Sequence, residues 1–201
     1  MSDNTLYFPV DKALEAMGNT SRRWQNHLET NKIHVPAEVN FVSSFGPGRG
    51  KHRHISIEAI TQGAIAFALI DCGVEVRSAY LAGAEFAFLG ELGGAYGYDE
   101  SAPLDPVLDR MPGRLYAEGE TFLIYSVGEV EPHNKRLTFV SDRNPVFAAK
   151  RGISAPAMVV HAVDGGSSAA PRIVLNVSQL CRRIASSLGI CFTAAFMTEA
   201  G

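Results

Sequence analysis

Ser21, Arg22, Arg23, Gln25 and Asn26 place five hydrogen-bonding side chains within six positions. These are the types that read nucleobase edges, since arginine pairs bidentately with guanine and Gln or Asn with adenine. Thr20, just ahead of them, is a residue type that starts helices. Arg49, Lys51, His52 and Arg53 follow or interrupt the run Gly46-Pro-Gly-Arg-Gly50. Glycines interleaved with cations suit a hairpin tip laid against phosphates.

Other chemistries are less well supplied. His52 and His54 alternate on one predicted strand and share a face, but no third metal ligand lies at a usable spacing. The three spaced glycines 46, 48 and 50 lack the lysine-serine pair of a phosphate-cradling loop, and dinucleotide-binding spacing fails too. Ser178 and Ser186 have no paired base, and no Gly-x-Ser-x-Gly elbow occurs. Glu118, Glu120, Glu129 and Glu131 could in principle work as paired acids, yet their alternation reads as a solvated sheet face. Cys181 and Cys191 adjoin no acidic or histidine partner and read as buried structural cysteines. The chain is therefore expected to be no enzyme and to carry no cofactor or metal.

Composition agrees with a folded, water-facing protein. Of 201 residues, 46% are hydrophobic and 19% charged, which excludes a disordered chain. The longest apolar run, Ala64 to Ile70, is far too short to span a membrane. Met1-Ser-Asp-Asn lacks the basic and apolar regions of a signal peptide, so a cytoplasmic location is expected. Three widely spaced cysteines argue against a disulfide framework. The net charge of −3 is unevenly spread. Between Thr20 and His54, six cations face two anions, a local excess of +4 that leaves −7 for the rest. Four of the six histidines fall in the same window. Basic charge is concentrated where the candidate reading residues lie.

The elements that must position these residues follow from periodicity. Ala13, Leu14 and Met17 predict a helix over Val10 to Met17, and Gly18 supplies its left-handed stop. Asn19 or Thr20 caps a second helix, Ser21 to Glu29, whose Trp24 and Leu28 face the first. That spacing makes Trp24 a core residue and sends Arg22, Arg23, Gln25 and Asn26 outward. Ile33 to Ser44 reads as extended, with His52 to Ile55 as the return strand of a hairpin. Ser56 caps a nearly all-apolar helix from Ile57 to Asp71, Gly73 breaks it, and a fourth helix runs from about Val76 to Leu89. Gly90 to Gly119 is punctuated by glycine and proline and reads as irregular connection. Beyond it, strands are expected at Thr121 to Val127, Leu137 to Val140, Ala157 to Val163 and Ile173 to Leu175. A helix from Val177 to about Leu188 carries Leu180, Ile184 and Leu188 at steps of four.

Val10 to Leu89 resembles the MerR-type family of winged helix-turn-helix transcription regulators. The resemblance rests on Ala13 and Gly18, on Thr20-Ser-Arg-Arg-Trp24, on the arm His52-Arg-His-Ile-Ser56, and on Leu69-Ile-Asp-Cys-Gly-Val74 before the fourth helix. It covers about 80 residues, and its specificity comes from the order of loose motifs. It implies sequence-specific binding of double-stranded DNA as a homodimer, with recognition helix and wing on each half-site.

The expected fold class is a mostly α winged helix-turn-helix domain followed by a small α+β domain. The expected boundaries are 1–92 for DNA binding, 93–114 for a Gly/Pro-rich connection, and 115–201 for dimerisation or effector sensing. Thr20, Ser21, Arg22, Arg23, Gln25 and Asn26 would face the groove, and Arg49, Lys51, His52 and Arg53 the backbone. Because no heptad run follows Gly90, the stripe Leu180, Ile184, Leu188 is a candidate dimer contact. A small-molecule effector or a protein partner at the C-terminal domain stays open, and no membrane partner is expected. Three rival readings also remain: an excisionase-like DNA-bending accessory factor from a prophage or plasmid, a ligand- or protein-interaction module that does not bind DNA, and an enzyme whose site lies entirely in residues 115–201.

Overall fold

The computed structural model describes residues 6–18, 23–24, 26–27, 42–45, 52–92, 103–127, 137–143 and 171–197, with backbone alone at 42–45 and 52–53. Thr20, Ser21, Arg22, Gln25, Arg49 and Lys51 lie outside the described residues. So do the expected strand at 157–163 and the side chains of His52 and Arg53. The fold is mixed, with helices and two small antiparallel sheets. The chain divides into two compact units. One takes in Met1–Leu89 with Leu180–Ala195, and the other Gly90–Gln179 with Phe196–Gly201.

In the first unit, strand β1 (Tyr7–Pro9) runs directly into helix α1 (Val10–Met17). Pro9, with φ fixed at −53°, ends the strand and aims the chain into the helix. Ala13, Leu14, Ala16 and Met17 are buried, while Asp11, Lys12 and Glu15 stay exposed. Gly18 closes the helix at φ 71°, its N–H bonding the Glu15 carbonyl at 2.9 Å. Only a residue tolerant of that left-handed backbone ends a helix so abruptly.

Strands β2 (Val42–Phe45) and β3 (His52–Ser56) pair antiparallel, Val42 opposite Ile55 and Phe45 opposite His52. On the other edge β3 pairs with β1, giving the order β1-β3-β2. β1 was not expected from sequence; at three residues with a terminal proline it carries no readable alternation.

β3 passes without a loop into helix α2 (Ile57–Asp71). Ser56 is extended and its hydroxyl accepts the Ala59 N–H at 3.2 Å, the expected cap. All but four of the helix's fifteen residues are buried, which fits its lack of a polar face. Gly73, at φ 90°, ends the segment, with Val74 N–H returning to the Leu69 carbonyl at 3.0 Å. Helix α3 (Val76–Phe88) then starts on Glu75, whose carboxylate accepts the N–H groups of Arg77 and Ser78 at 2.9 and 2.8 Å. α2 and α3 pack backbone to backbone. A Cβ on Gly83 would overlap the Gln62 carbonyl oxygen, and one on Gly63 would meet Met17 Sδ at 2.6 Å.

Helix α4 (Val177–Leu188) and the short α5 (Phe192–Phe196) follow the second sheet in sequence. From Leu180 to Ala195 this stretch groups with the first unit. Leu180, Ile184 and Leu188 are 6%, 0% and 8% exposed. This corrects the expectation that the stripe is a dimer contact, because its apolar face is already consumed within one chain. Cys191, expected to be buried, is exposed, whereas Cys181 is buried as expected.

In the second unit, β4 (Thr121–Ser126) lies between β5 (Leu137–Ser141) and β6 (Arg172–Asn176), with Leu123 opposite both Phe139 and Leu175. Leu123, Ile124, Tyr125, Phe139 and Val140 form its core. The Gly/Pro-punctuated stretch also contributes: Val107, Asp109, Arg110, Leu115 and Tyr116 are all buried. Among the described residues no helix is long and apolar enough to cross a membrane.

The close α2–α3 approach yields a test. Alanine favours a helix over glycine by about 1 kcal/mol, so a Gly83→Ala change would stabilise an isolated α3. Here the added methyl must push α3 off the Gln62 carbonyl, and overpacking of that kind costs about 1–3 kcal/mol. Thermal unfolding of Gly83→Ala should therefore show a lower Tm than the parent chain.

Candidate nucleic-acid interface

Residues 23–24 and 26–27, after the Gly18 turn, are helical. Trp24, 3% exposed, is a core residue, as its spacing requires. His27 is half-buried, stacked on the Phe67 ring at 5.5 Å and edge-on to Tyr80 at the same separation. Its Nδ1 lies 3.0 Å from the Tyr80 hydroxyl. Tyr80 is itself fully buried, and its carbonyl accepts Gln62 Nε2 at 3.1 Å, linking α3 to α2.

Arg23 departs from the outward orientation expected of it. One of its terminal nitrogens lies 2.9 Å from Asp71 Oδ1 at the end of α2, and its guanidinium sits 4.9 Å from the centre of the Phe67 ring. A carboxylate and a ring face on one neighbouring helix capture it together. With the two side chains 37% and 66% exposed, the ion pair adds little stability. What it supplies is orientation. Asn26 is exposed, on the side away from Trp24. These helical residues thus have a defined inner face made of Arg23, Trp24 and His27.

On the wing side, the described backbone gives the paired arms Val42–Phe45 and His52–Ser56, with the expected basic tip between them outside the described residues. His54 is half-buried. Asp71, Phe67 and Tyr80, which contact Arg23 and His27, were not singled out from sequence. They lie 40 or more residues downstream of Arg23 and His27, and no local pattern joins them.

The second unit holds a buried polar cluster of its own. Arg110, 1% exposed, places its Nε 3.6 Å from Glu91 Oε2 and its guanidinium 4.7 Å from the Phe139 ring centre. Its Nη1 donates to the Arg114 carbonyl at 3.2 Å. The Tyr116 hydroxyl lies 2.5 Å from Glu91 Oε2 and 3.2 Å from the Phe139 carbonyl. Glu91 and Arg110 also exchange both backbone hydrogen bonds. The Tyr116 hydroxyl and the Arg110 guanidinium each reach both Glu91 and Phe139, so the arrangement ties 91 and 103–119 to the sheet.

The other sequence candidates have structural employment. Ser178 Oγ accepts the Thr121 N–H at 2.8 Å, and Glu120 receives Asn176 Nδ2 at 3.4 Å. Glu118 is exposed, and Glu129 and Glu131 lie outside the described residues. Among the described residues no group of three His, Cys, Asp or Glu could hold a metal ion. The Cys191 thiol is lowered by the Thr193 hydroxyl first and by nearby backbone amides.

Burial pushes the Tyr80 hydroxyl well above the usual tyrosine range, with the Arg23 cation opposing. Burial does the same to Tyr116, reinforced by Glu91 and opposed by Arg110. Unfolded tyrosine releases its proton near pH 10, while these two keep theirs in the fold. Above about pH 10 the unfolded chain binds fewer protons, so stability falls as pH rises. Tyr80→Phe should cost about 1 kcal/mol at neutral pH through loss of the hydroxyl facing His27. It should also flatten the fall in urea midpoint between pH 9 and 11. An equally steep fall in the variant would remove Tyr80 from the alkaline response.

No protein-family model matches the chain, and no curated protein matches it significantly.

Proposed function

We propose that the chain is a sequence-specific, DNA-binding transcription regulator of the winged helix-turn-helix kind, a cytoplasmic homodimer without enzymatic activity. One observation carries the reading. A helix ended by left-handed Gly18, a short helical segment anchored through Trp24, and a β2–β3 hairpin completed by β1 into a three-stranded sheet follow one another before α2. That order, with the cations of the Thr20–His54 window, supports a reading helix in the major groove and a wing on the backbone.

The inner face formed by Arg23, Trp24 and His27 decides which side chains meet DNA. Helical spacing assigns Ser21, Arg22, Gln25 and Asn26 to the opposite arc, with Thr20 at the helix start. These are the base-reading and nearby phosphate contacts. Arg23 contributes by fixing the helix on Asp71 and Phe67. Arg49, Lys51, His52 and Arg53 hold phosphates from the wing.

Binding to duplexes at low salt, released as salt rises, is the first expected result. Selection from a random pool should then give a palindromic consensus, as a symmetric dimer requires. Gln25→Ala should cost about 1–3 kcal/mol on the selected site and little on random duplex. Lys51→Gln should weaken all sequences alike and reduce the salt slope by about one unit. A chain that ignores duplex DNA at low salt refutes the reading.

A further inference from the structure

We infer that Arg183, on helix α4, is an additional contact to the DNA phosphate backbone, placed beside the turn that leads into the reading helix. The inference rests on the DNA-binding reading above and extends the interface to a segment some 160 residues downstream.

Four observations carry it. First, Leu180–Ala195 belongs to the same compact unit as Met1–Leu89. Second, the terminal Nη2 of Arg183 lies 3.6 Å from where a Cβ on Gly18 would stand. Gly18 ends α1 in a left-handed turn, ahead of the helical residues 23–24. In helix-turn-helix docking the first helix crosses the backbone and the second presents its N-terminal residues to base edges. A cation at the turn between them therefore faces phosphates.

Third, the orientation of α4 is fixed. Leu180, Cys181, Ile184, Ala185 and Leu188 are buried, so Arg182 and Arg183 are left exposed on the opposite side. Fourth, the charge of Arg183 is unspent. Arg23 is paired with Asp71 and Arg110 with Glu91, whereas Arg183 makes no ion pair or hydrogen bond with the described residues. Helix α4 contains no Asp or Glu to compensate it. Its neighbour Arg182 lies over the Phe192 ring at 5.4 Å. An arginine fork presents paired N–H donors that match a phosphate. An exposed guanidinium beside the turn, unpaired among the described residues, fits a polyanion passing close to Gly18.

The test is binding of the full chain to labelled random duplex, measured by fluorescence anisotropy over a series of salt concentrations. Each neutralised phosphate contributes about 0.9 to the slope of log affinity against log salt. Arg183→Gln should lower the steepness by about that amount and weaken binding several-fold at low salt, equally for every sequence. Arg183→Lys should keep the parent slope. Emission from the chain's single tryptophan, Trp24, should be unchanged in both variants, showing that the reading helix keeps its seat. A parent slope in Arg183→Gln overturns this inference and leaves the DNA-binding reading standing. A shifted Trp24 emission, or a Lys variant as impaired as the Gln variant, also overturns it by assigning Arg183 to support of the turn. A parent chain that ignores duplex overturns both.

Discussion

Helix α2 is buried over nearly all of its surface, and the first unit is built around that constraint. Eleven of its residues are buried, including Thr61 and Gln62. Each flank must therefore be covered by something specific. α1 covers one flank, with Met17 against Gly63, and α3 covers another, so close that Gly83 has no room for a side chain. The helical segment at 23–27 covers the Phe67 side through His27 and Arg23. β3 enters α2 through Ser56 with no intervening loop, which fixes the sheet relative to the helix start. The hydrophobic burial that holds α2 thereby positions α1, the helical residues near Trp24 and the β1-β3-β2 sheet.

Local signals in the sequence were reliable wherever one residue type does one job. Ser56 before Ile57, Gly18 after Met17 and Gly73 after Asp71 each mark a helix boundary through capping or left-handed backbone. The β-branched and aromatic run of β4 and the four-residue step of α4 were likewise readable, as was the burial of Trp24. What could not be read was where an element would be used. α4 shows an apolar stripe that would look the same on a dimer surface or in a core, and periodicity does not say which. The stretch 103–119 looks like connection by its prolines, yet Asp105 organises it by accepting the Val107 and Leu108 N–H groups.

The candidate site was legible in composition but not in orientation. Arg23 belongs to a cluster of polar side chains that sequence treats alike. Its partner Asp71 is fixed only by the packing of α2 on the reading segment. The same limit applied to Tyr80 and His27, fifty-three positions apart. Long-range pairs of this kind leave no periodic trace, because neither residue's neighbours vary with its partner's. Glu75 shows a smaller version of the problem: glutamate is an uncommon helix cap, and only the geometry reveals that its carboxylate takes two N–H groups.

The discontinuity of the first unit has a consequence for how the protein is made. Met1–Leu89 emerges from the ribosome well before Leu180–Ala195, with the whole of Gly90–Gln179 synthesised between them. Until Leu180–Ala195 is made, the unit to which Met1–Leu89 belongs lacks its second segment. A nascent chain therefore carries Met1–Leu89 before the other segment of its unit exists. Closure over so long an interval is a late event in folding. Completion of the first unit is thus tied to prior synthesis of the whole of Gly90–Gln179, a dependence that a contiguous unit would lack.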